Sequence, residues 1–220
     1  MGFRIPNPES RIPTLYAVLD ADVAARAGWT LVDLASACLA GGATLLQVRA
    51  KQAASGWLLD TAAAIVERAR AARALVIVND RADIARLAHA DGVHVGQDDL
   101  APAAARALLP DAAIVGLSTH TLDQIEAAIA QPIAYLAIGP VFGTSTKATG
   151  YDAVGFARVR HAAGRARTRQ IPVVAIGGIT LESAADVLHA GADAVAVISD
   201  LTTTGDPEAR VREYLLRLKV

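Results

Sequence analysis

Eight short, apolar, β-rich runs recur along the chain, and their spacing constrains the fold more than any other feature. They are Leu15 to Leu19, Thr44 to Val48, Leu75 to Val78, Gly92 to Val95, Ala113 to Leu117, Tyr135 to Ile138, Val173 to Ile176 and Ala194 to Ile198. Longer segments with helical spacing separate them, which is the pattern of parallel βα units. SGWLLDTAAAIVERARAAR is one such segment. TLDQIEAAIAQ is another, with Thr121 placed to cap it and Gln124 three residues on, a capping-box spacing. Eight strands, each followed by a helix, predict an α/β fold closed into a barrel rather than an open sheet. At 220 residues such a barrel is a single domain. The predicted organisation is an N-terminal arm over residues 1–13 and a barrel domain over residues 14–220, because no low-complexity stretch or composition break divides the rest.

Charge and composition narrow the partners. A formal net charge of -1 provides no global field for nucleic acid or anionic lipid, so basic groups must act locally and the expected partners are small molecules. A homo-oligomer is left open. The first residues, MGFRIPNPESRIP, lack an apolar signal core, and no uninterrupted apolar run reaches membrane-spanning length, so a soluble, cytoplasmic protein is expected. The apolar fraction of 53% owes much to alanine, which suits helices and small-residue packing. The single cysteine, Cys38, sits in VDLASACLAGG on the apolar side of a helix and reads as a small buried hydrophobe rather than a reactive thiol.

In a barrel of this type the working face lies at the C-terminal ends of the strands. QVRAK follows the second run, NDRAD the third, GQDD the fourth, GLSTHT the fifth, AIGPVFGTSTKATG spans the sixth and its loop, IGGIT ends the seventh, and VISD the eighth. Polar or cationic groups therefore stand at seven of the eight strand ends. Gln47, Arg49 and Lys51 alternate, and in extended chain alternating side chains share one side. Thr144, Ser145, Thr146 and Lys147 combine short hydroxyls with a point positive charge, the chemistry of an anion cradle or of an ordinary solvated loop. Gly177 and Gly178 either turn the chain or let a phosphate approach the backbone, with Thr180 a candidate cap for the next helix; loops after strands seven and eight often hold phosphate in such barrels. Asp80 and Asp99 are candidate helix caps, Pro102 supporting this for Asp99, or functional carboxylates. Placed at one mouth with Arg49, Lys51 and Lys147, the two carboxylates suit Mg²⁺, which takes one or two carboxylates and keeps several waters. His120 is either a general acid–base group or a structural residue at a helix start.

Taken in order, QVRAK, ND, GQDD, GLSTHT, GPVFGTSTK, GGIT and VISD resemble the thiamine phosphate synthase family along nearly the whole stretch from Leu15 to Ser199. The resemblance implies a single (β/α)8 TIM barrel and a transferase that joins a pyrimidinylmethyl diphosphate to a thiazole phosphate, releasing diphosphate. It implies that Gln47, Arg49, Lys51, Asn79, Ser118 and Lys147 contact the pyrimidine diphosphate, with Arg49, Lys51, Lys147 and Ser118 taking part in catalysis. It implies Asp80 and Asp99 as magnesium ligands, and Thr144, Thr146, Gly178, Ile198 and Ser199 as the thiazole phosphate site. LES stands after GGIT where many relatives carry an acidic residue and Asn. Two alternatives are a thiazole tautomerase on a similar barrel, which would not need QVRAK, Asp80, Asp99 and Lys147 together, and a non-catalytic sensor of phosphorylated ligands, which would not need the carboxylates.

Overall fold

All eight predicted runs form strands, and each pairs in parallel with its sequence neighbours. The computed structural model describes residues 12–143 and 150–219. Along them run β1 (Leu15–Asp20), α1 (Ala21–Arg26), α2 (Leu31–Ala40), β2 (Leu45–Arg49), α3 (Ser55–Ala71), β3 (Leu75–Asn79), α4 (Ala82–Leu87), β4 (Gly92–Val95) and α5 (Pro102–Leu108). There follow β5 (Ile114–Thr119), α6 (Leu122–Ala128), β6 (Tyr135–Ile138), α7 (Gly155–Arg167), β7 (Val173–Ile176), α8 (Leu181–His189), β8 (Ala194–Val197), a 3₁₀ turn (Ser199–Leu201) and α9 (Pro207–Arg217). The strands run in order around a closed barrel, with β8 hydrogen-bonded back to β1.

Two apolar shells follow from the period of two along each strand. In β1, Leu15, Ala17 and Leu19 join the cluster packed between sheet and helices, while Tyr16 and Val18 join Leu45, Ile77, Tyr135 and Val174 in a separate cluster, the barrel interior. All six residues of β1 are buried, so the strand reads as a near-continuous apolar run, as strands covered on both faces do. Ile12 packs on the interior cluster; residues 1–11 of the expected N-terminal arm lie outside the described residues. Cys38 is fully buried in α2 and burial pushes its thiol up to about 12, in agreement with a packing role. Among the described residues no helix is long and apolar enough to cross a membrane.

Small departures from the predicted boundaries have local causes. β5 runs on through Ser118 and Thr119, which pair with Ala137 and Ile138 of β6, so the ladder continues past the apolar run. β2 begins at Leu45, and Ile198 leaves β8 to enter the 3₁₀ turn. Two helices, not one, follow β1: Asp20 caps α1 by accepting the Asp22 and Val23 N–H groups, each at 3.1 Å, and Thr30 starts α2 by accepting the Asp33 N–H at 3.1 Å. The predicted capping box forms, with Thr121 Oγ1 accepting the Gln124 N–H at 3.2 Å and Gln124 Oε1 accepting the Thr121 N–H at 3.2 Å. Removing that hydroxyl in Thr121→Ala is expected to lower the unfolding free energy by about 1 kcal/mol, measured by urea denaturation; an unchanged midpoint would mean the α6 start is held by packing alone.

Candidate active site

Closure brings the C-terminal strand ends to one rim, where a cavity of about 260 Å³ opens. Arg49, Lys51, Asn79, Asp80, Asp99, Ser118 and Ile198, each singled out in the sequence, line it together. Arg49 reaches it as the last residue of β2; Lys51 follows in a turn, so extended alternation places Gln47 and Arg49 but not Lys51. Gln47 is buried, 2% exposed, and is absent from the cavity wall: it lies one inward position deeper along β2 than Arg49. Gly178 and Ser199 do not line the cavity. Thr144, Thr146 and Lys147 lie outside the described residues.

The eighth strand end is polar as well. Asp20, which completes β1, is 3% exposed and pairs with the Arg49 guanidinium. One oxygen of the carboxylate takes the arginine while the other caps α1, so a single side chain fixes both a helix start and the direction of the cation. Arg49 Nε remains buried with no partner among the described residues. The polar rim thus runs round all eight strands instead of seven, and the missed signal was LDAD, an acid at a strand end directly before a helix.

Asp80 and Asp99 do not cap helices. The caps of α4 and α5 are Arg81 and Ala101, and Pro102 supplies the first helical residue of α5. Asp80 has a φ of 62°, a conformation Asp tolerates better than most residues, and its N–H donates to the His94 carbonyl at 2.7 Å. Its carboxylate lies 3.1 Å from Lys51 Nζ and close to the Asp99 carboxyl. Burial, and then the Asp99 carboxyl, push Asp80 above the usual carboxylate range, against the pull of Lys51. Asp99 Oδ2 accepts the Gly96 N–H at 2.8 Å, which fixes it at the rim. No cluster of three or more His, Cys, Asp or Glu that could hold a metal is found among the described residues. Two adjacent carboxylates under mutual repulsion are the donor set of a divalent cation that completes its shell with water and substrate oxygens.

On the neighbouring β4 and β5 ends, His94 Nε2 and Ser118 Oγ are 2.8 Å apart, and Gln97 Nε2 donates to the Ser118 carbonyl at 2.6 Å. His120 stacks on Tyr151 with centroids 4.1 Å apart, and its Nδ1 lies 2.6 Å from the Gly139 carbonyl. Its N–H donates to Gln124 Oε1 at 2.7 Å, so the structural berth expected at the start of α6 is filled. Two loops meet beside the cavity: the Val141 and Phe142 N–H groups donate to the Ile176 and Gly177 carbonyls at 2.9 and 3.0 Å. Gly178 has a φ of +63°, and a Cβ there would lie 2.7 Å from the Gly143 carbonyl and 2.8 Å from Phe142 Cβ, so glycine is required by the neighbouring loop itself. Beyond β8, Asp200 accepts from Arg210 Nε and Nη2, the Tyr214 hydroxyl and the Leu181 N–H, tying the turn that carries Ser199 to α8 and α9.

These features define a closed parallel (β/α)8 barrel enzyme with two cations and a carboxylate pair gathered at its C-terminal rim. The thiamine monophosphate synthase family (TMP-TENI) matches residues 15–201. The thiamine-phosphate synthase of Koribacter versatilis is 44% identical over 207 residues, 93% of this chain and 95% of that protein; that of Chlorobium luteolum is 40% identical over 203 residues, 92% of each. A solved structure of the thiamine phosphate pyrophosphorylase from Pyrococcus furiosus superposes with a TM-score of 0.83 at 30% identity, covering 94% of this chain and 95% of that one. The chain belongs to the thiamine monophosphate synthase family.

The cost of burying the Asp80 carboxylate beside Asp99 is measurable. Because the folded protein raises the Asp80 pKa, the group favours folding fully below its unfolded pKa and loses that contribution as pH rises through the folded value. At neutral pH the ionised side chain therefore costs stability. Asp80→Asn, which keeps the shape and tolerates φ of 62°, is expected to raise the urea midpoint of the protein in chelator, although it gives up the half-exposed Lys51 pair. A lowered midpoint would show that the lysine pair outweighs the repulsion.

Proposed function

We propose that the protein is a thiamine-phosphate synthase that joins an aminopyrimidinylmethyl diphosphate to a thiazole phosphate, releasing diphosphate. The observation that carries this reading is the meeting of Arg49, Lys51, Asp80, Asp99, Asn79 and Ser118 in one cavity. A tautomerase or a phosphate sensor on the same barrel has no diphosphate to expel and gives no reason for two carboxylates to be held together beside two cations.

In this reading Arg49 and Lys51, with Lys147 from the loop after β6, bind the diphosphate and balance the charge that grows on it as the carbon–oxygen bond breaks. Asp80 and Asp99 would hold Mg²⁺, which when bound supplies a Lewis acid to the leaving diphosphate. Asn79, Gln47 and Ser118 orient the pyrimidine. Thr144, Thr146, Gly178, Ile198 and Ser199 hold the thiazole phosphate, with Asp200 fixing the turn that carries Ser199. The bonding electron pair leaves with diphosphate, the electron-rich aminopyrimidine shares the positive charge left on its methylene, and the thiazole nitrogen then closes the new carbon–nitrogen bond. No nucleophile from the protein is needed. Binding both reactants in line contributes on the order of 7 kcal/mol in the best intramolecular cases.

The direct test is to mix the two phosphorylated substrates with Mg²⁺ and to measure thiamine phosphate and diphosphate. Product without added metal and in excess chelator would remove the magnesium assignment, and no product at all would remove the function. Lys147→Met separates the anion cradle from the solvated loop: single-turnover formation of thiamine phosphate is expected to slow by roughly 10² to 10³. An unchanged rate in the folded variant would make that loop an ordinary surface segment.

A further inference from the structure

Three polar side chains, Tyr16, Tyr135 and His94, cross the barrel interior and connect Gln47 with Ser118, two residues assigned above to the pyrimidine. Gln47 Nε2 donates to Tyr16 Oη at 2.8 Å; Tyr16 Oη lies 3.0 Å from Tyr135 Oη; Tyr135 Oη lies 2.8 Å from His94 Nδ1; and His94 Nε2 lies 2.8 Å from Ser118 Oγ. Tyr16 and Tyr135 are 1% and 0% exposed, Gln47 2% and His94 5%. Tyr135 has room because β5 offers Gly116 opposite it: a Cβ at Gly116 would lie 2.1 Å from the tyrosine ring. Buried hydroxyls of this kind have no water to fall back on, so each proton must be placed within the chain of bonds.

Counting protons gives the chain a direction. The Tyr16 oxygen already accepts from the Gln47 amide, so its one proton goes to Tyr135. In that direction Tyr135 would donate to His94 Nδ1, which requires the His94 tautomer protonated on Nε2, with Nε2 donating to Ser118 Oγ. The Ser118 proton is left to donate toward the cavity that Ser118 lines. At the other end Gln47 Oε1 is buried and has no partner among the described residues, an acceptor awaiting a donor. Reversing one bond requires reversing all of them, the Gln47 amide included. Burial raises both phenols, so they remain hydroxyls throughout the working pH range.

We propose that Tyr16, Tyr135 and His94 form a relay that sets opposite hydrogen-bonding polarity at Gln47 and Ser118, an acceptor at one end and a donor at the other. Ser118, the end that lines the cavity, thereby selects a heterocycle whose ring nitrogen accepts a hydrogen bond, as an aminopyrimidine's does, over its oxo counterpart, which carries an N–H at that position. Tyr16, Tyr135 and His94 are positioning residues and act through Gln47 and Ser118. The inference rests on the assignment of those two residues to the pyrimidine under the proposed function.

The test uses the full chain and two probes, the aminopyrimidine methanol and its oxo analogue, whose binding is compared by calorimetry. The wild-type protein is expected to prefer the amino compound, and Tyr135→Phe to reduce that preference by about 10-fold or more. In turnover, Tyr135→Phe should lower kcat/KM for the pyrimidine diphosphate and leave the KM for thiazole phosphate unchanged, a split that a general loss of structure would not produce. A folded Tyr135→Phe protein with wild-type preference overturns the relay. Should that variant fail to fold, ¹⁵N-histidine spectra of the wild-type protein decide, with His94→Gln identifying the resonances. His94 protonated on Nε2 and bare on Nδ1 at neutral pH supports the stated direction, and the opposite tautomer or an imidazolium overturns it. The outcomes for the function and for the relay are separable: a protein that prefers the aminopyrimidine but makes no thiamine phosphate keeps the relay and loses the functional reading.

Discussion

The pairing of β8 with β1 closes the sheet, and everything at the functional rim depends on it. A parallel sheet closed on itself has no edge, and its strands all end on the same side. Residues as far apart in sequence as Asp20 and Ile198 thereby come to one mouth. Closure also creates an interior with no outlet to solvent except at the ends. An apolar interior cluster fills most of it, and the polar crossing from Gln47 to Ser118 is the exception that requires complete hydrogen-bond satisfaction.

Charge at the rim is arranged by contacts that differ in rigidity. Arg49 is held by a buried carboxylate that also starts a helix, so its direction is set by the scaffold. Lys51 is half-exposed and, among the described residues, pairs with Asp80. The two cations also differ in kind: a planar guanidinium carries its charge in a directed fork, whereas an ammonium is a compact point charge on a flexible stem. Asp80 and Asp99 complete the pattern as a pair whose repulsion is tolerated because the surrounding backbone, through the His94 carbonyl and the Gly96 N–H, holds both in place.

Most of the strand order was legible because apolar runs bounded by turns report burial directly, and because function in a parallel barrel is confined to strand ends. Arg49, Lys51, Asn79, Asp80, Asp99 and Ser118 could be found by walking from one strand end to the next. Asp20 carried the same local signal and was passed over, since LDAD reads as well as a plain helix start as a functional acid. His94 offered no local signal. GVHV is an ordinary inward–outward strand pattern, and its partners Ser118 and Tyr135 lie 24 and 41 residues away. Gly178 was legible as a special position, and the structure adds a reason the sequence did not carry: the backbone of the β6 loop, at Gly143, occupies the space a side chain would need.

Gly116 and Tyr135 form one structural unit written at two places in the chain, the ring of one occupying the space left by the missing side chain of the other. Such a pair changes only in a particular order during divergence. A side chain gained at 116 while the tyrosine remains collides with the ring, whereas loss of the tyrosine first opens a void that a larger residue at 116 can fill. Lineages that abandon the interior hydroxyl should therefore gain bulk on β5, and lineages that keep it should keep the glycine, so that the identity of residue 116 reports whether a homologous barrel still carries a polar crossing through its core.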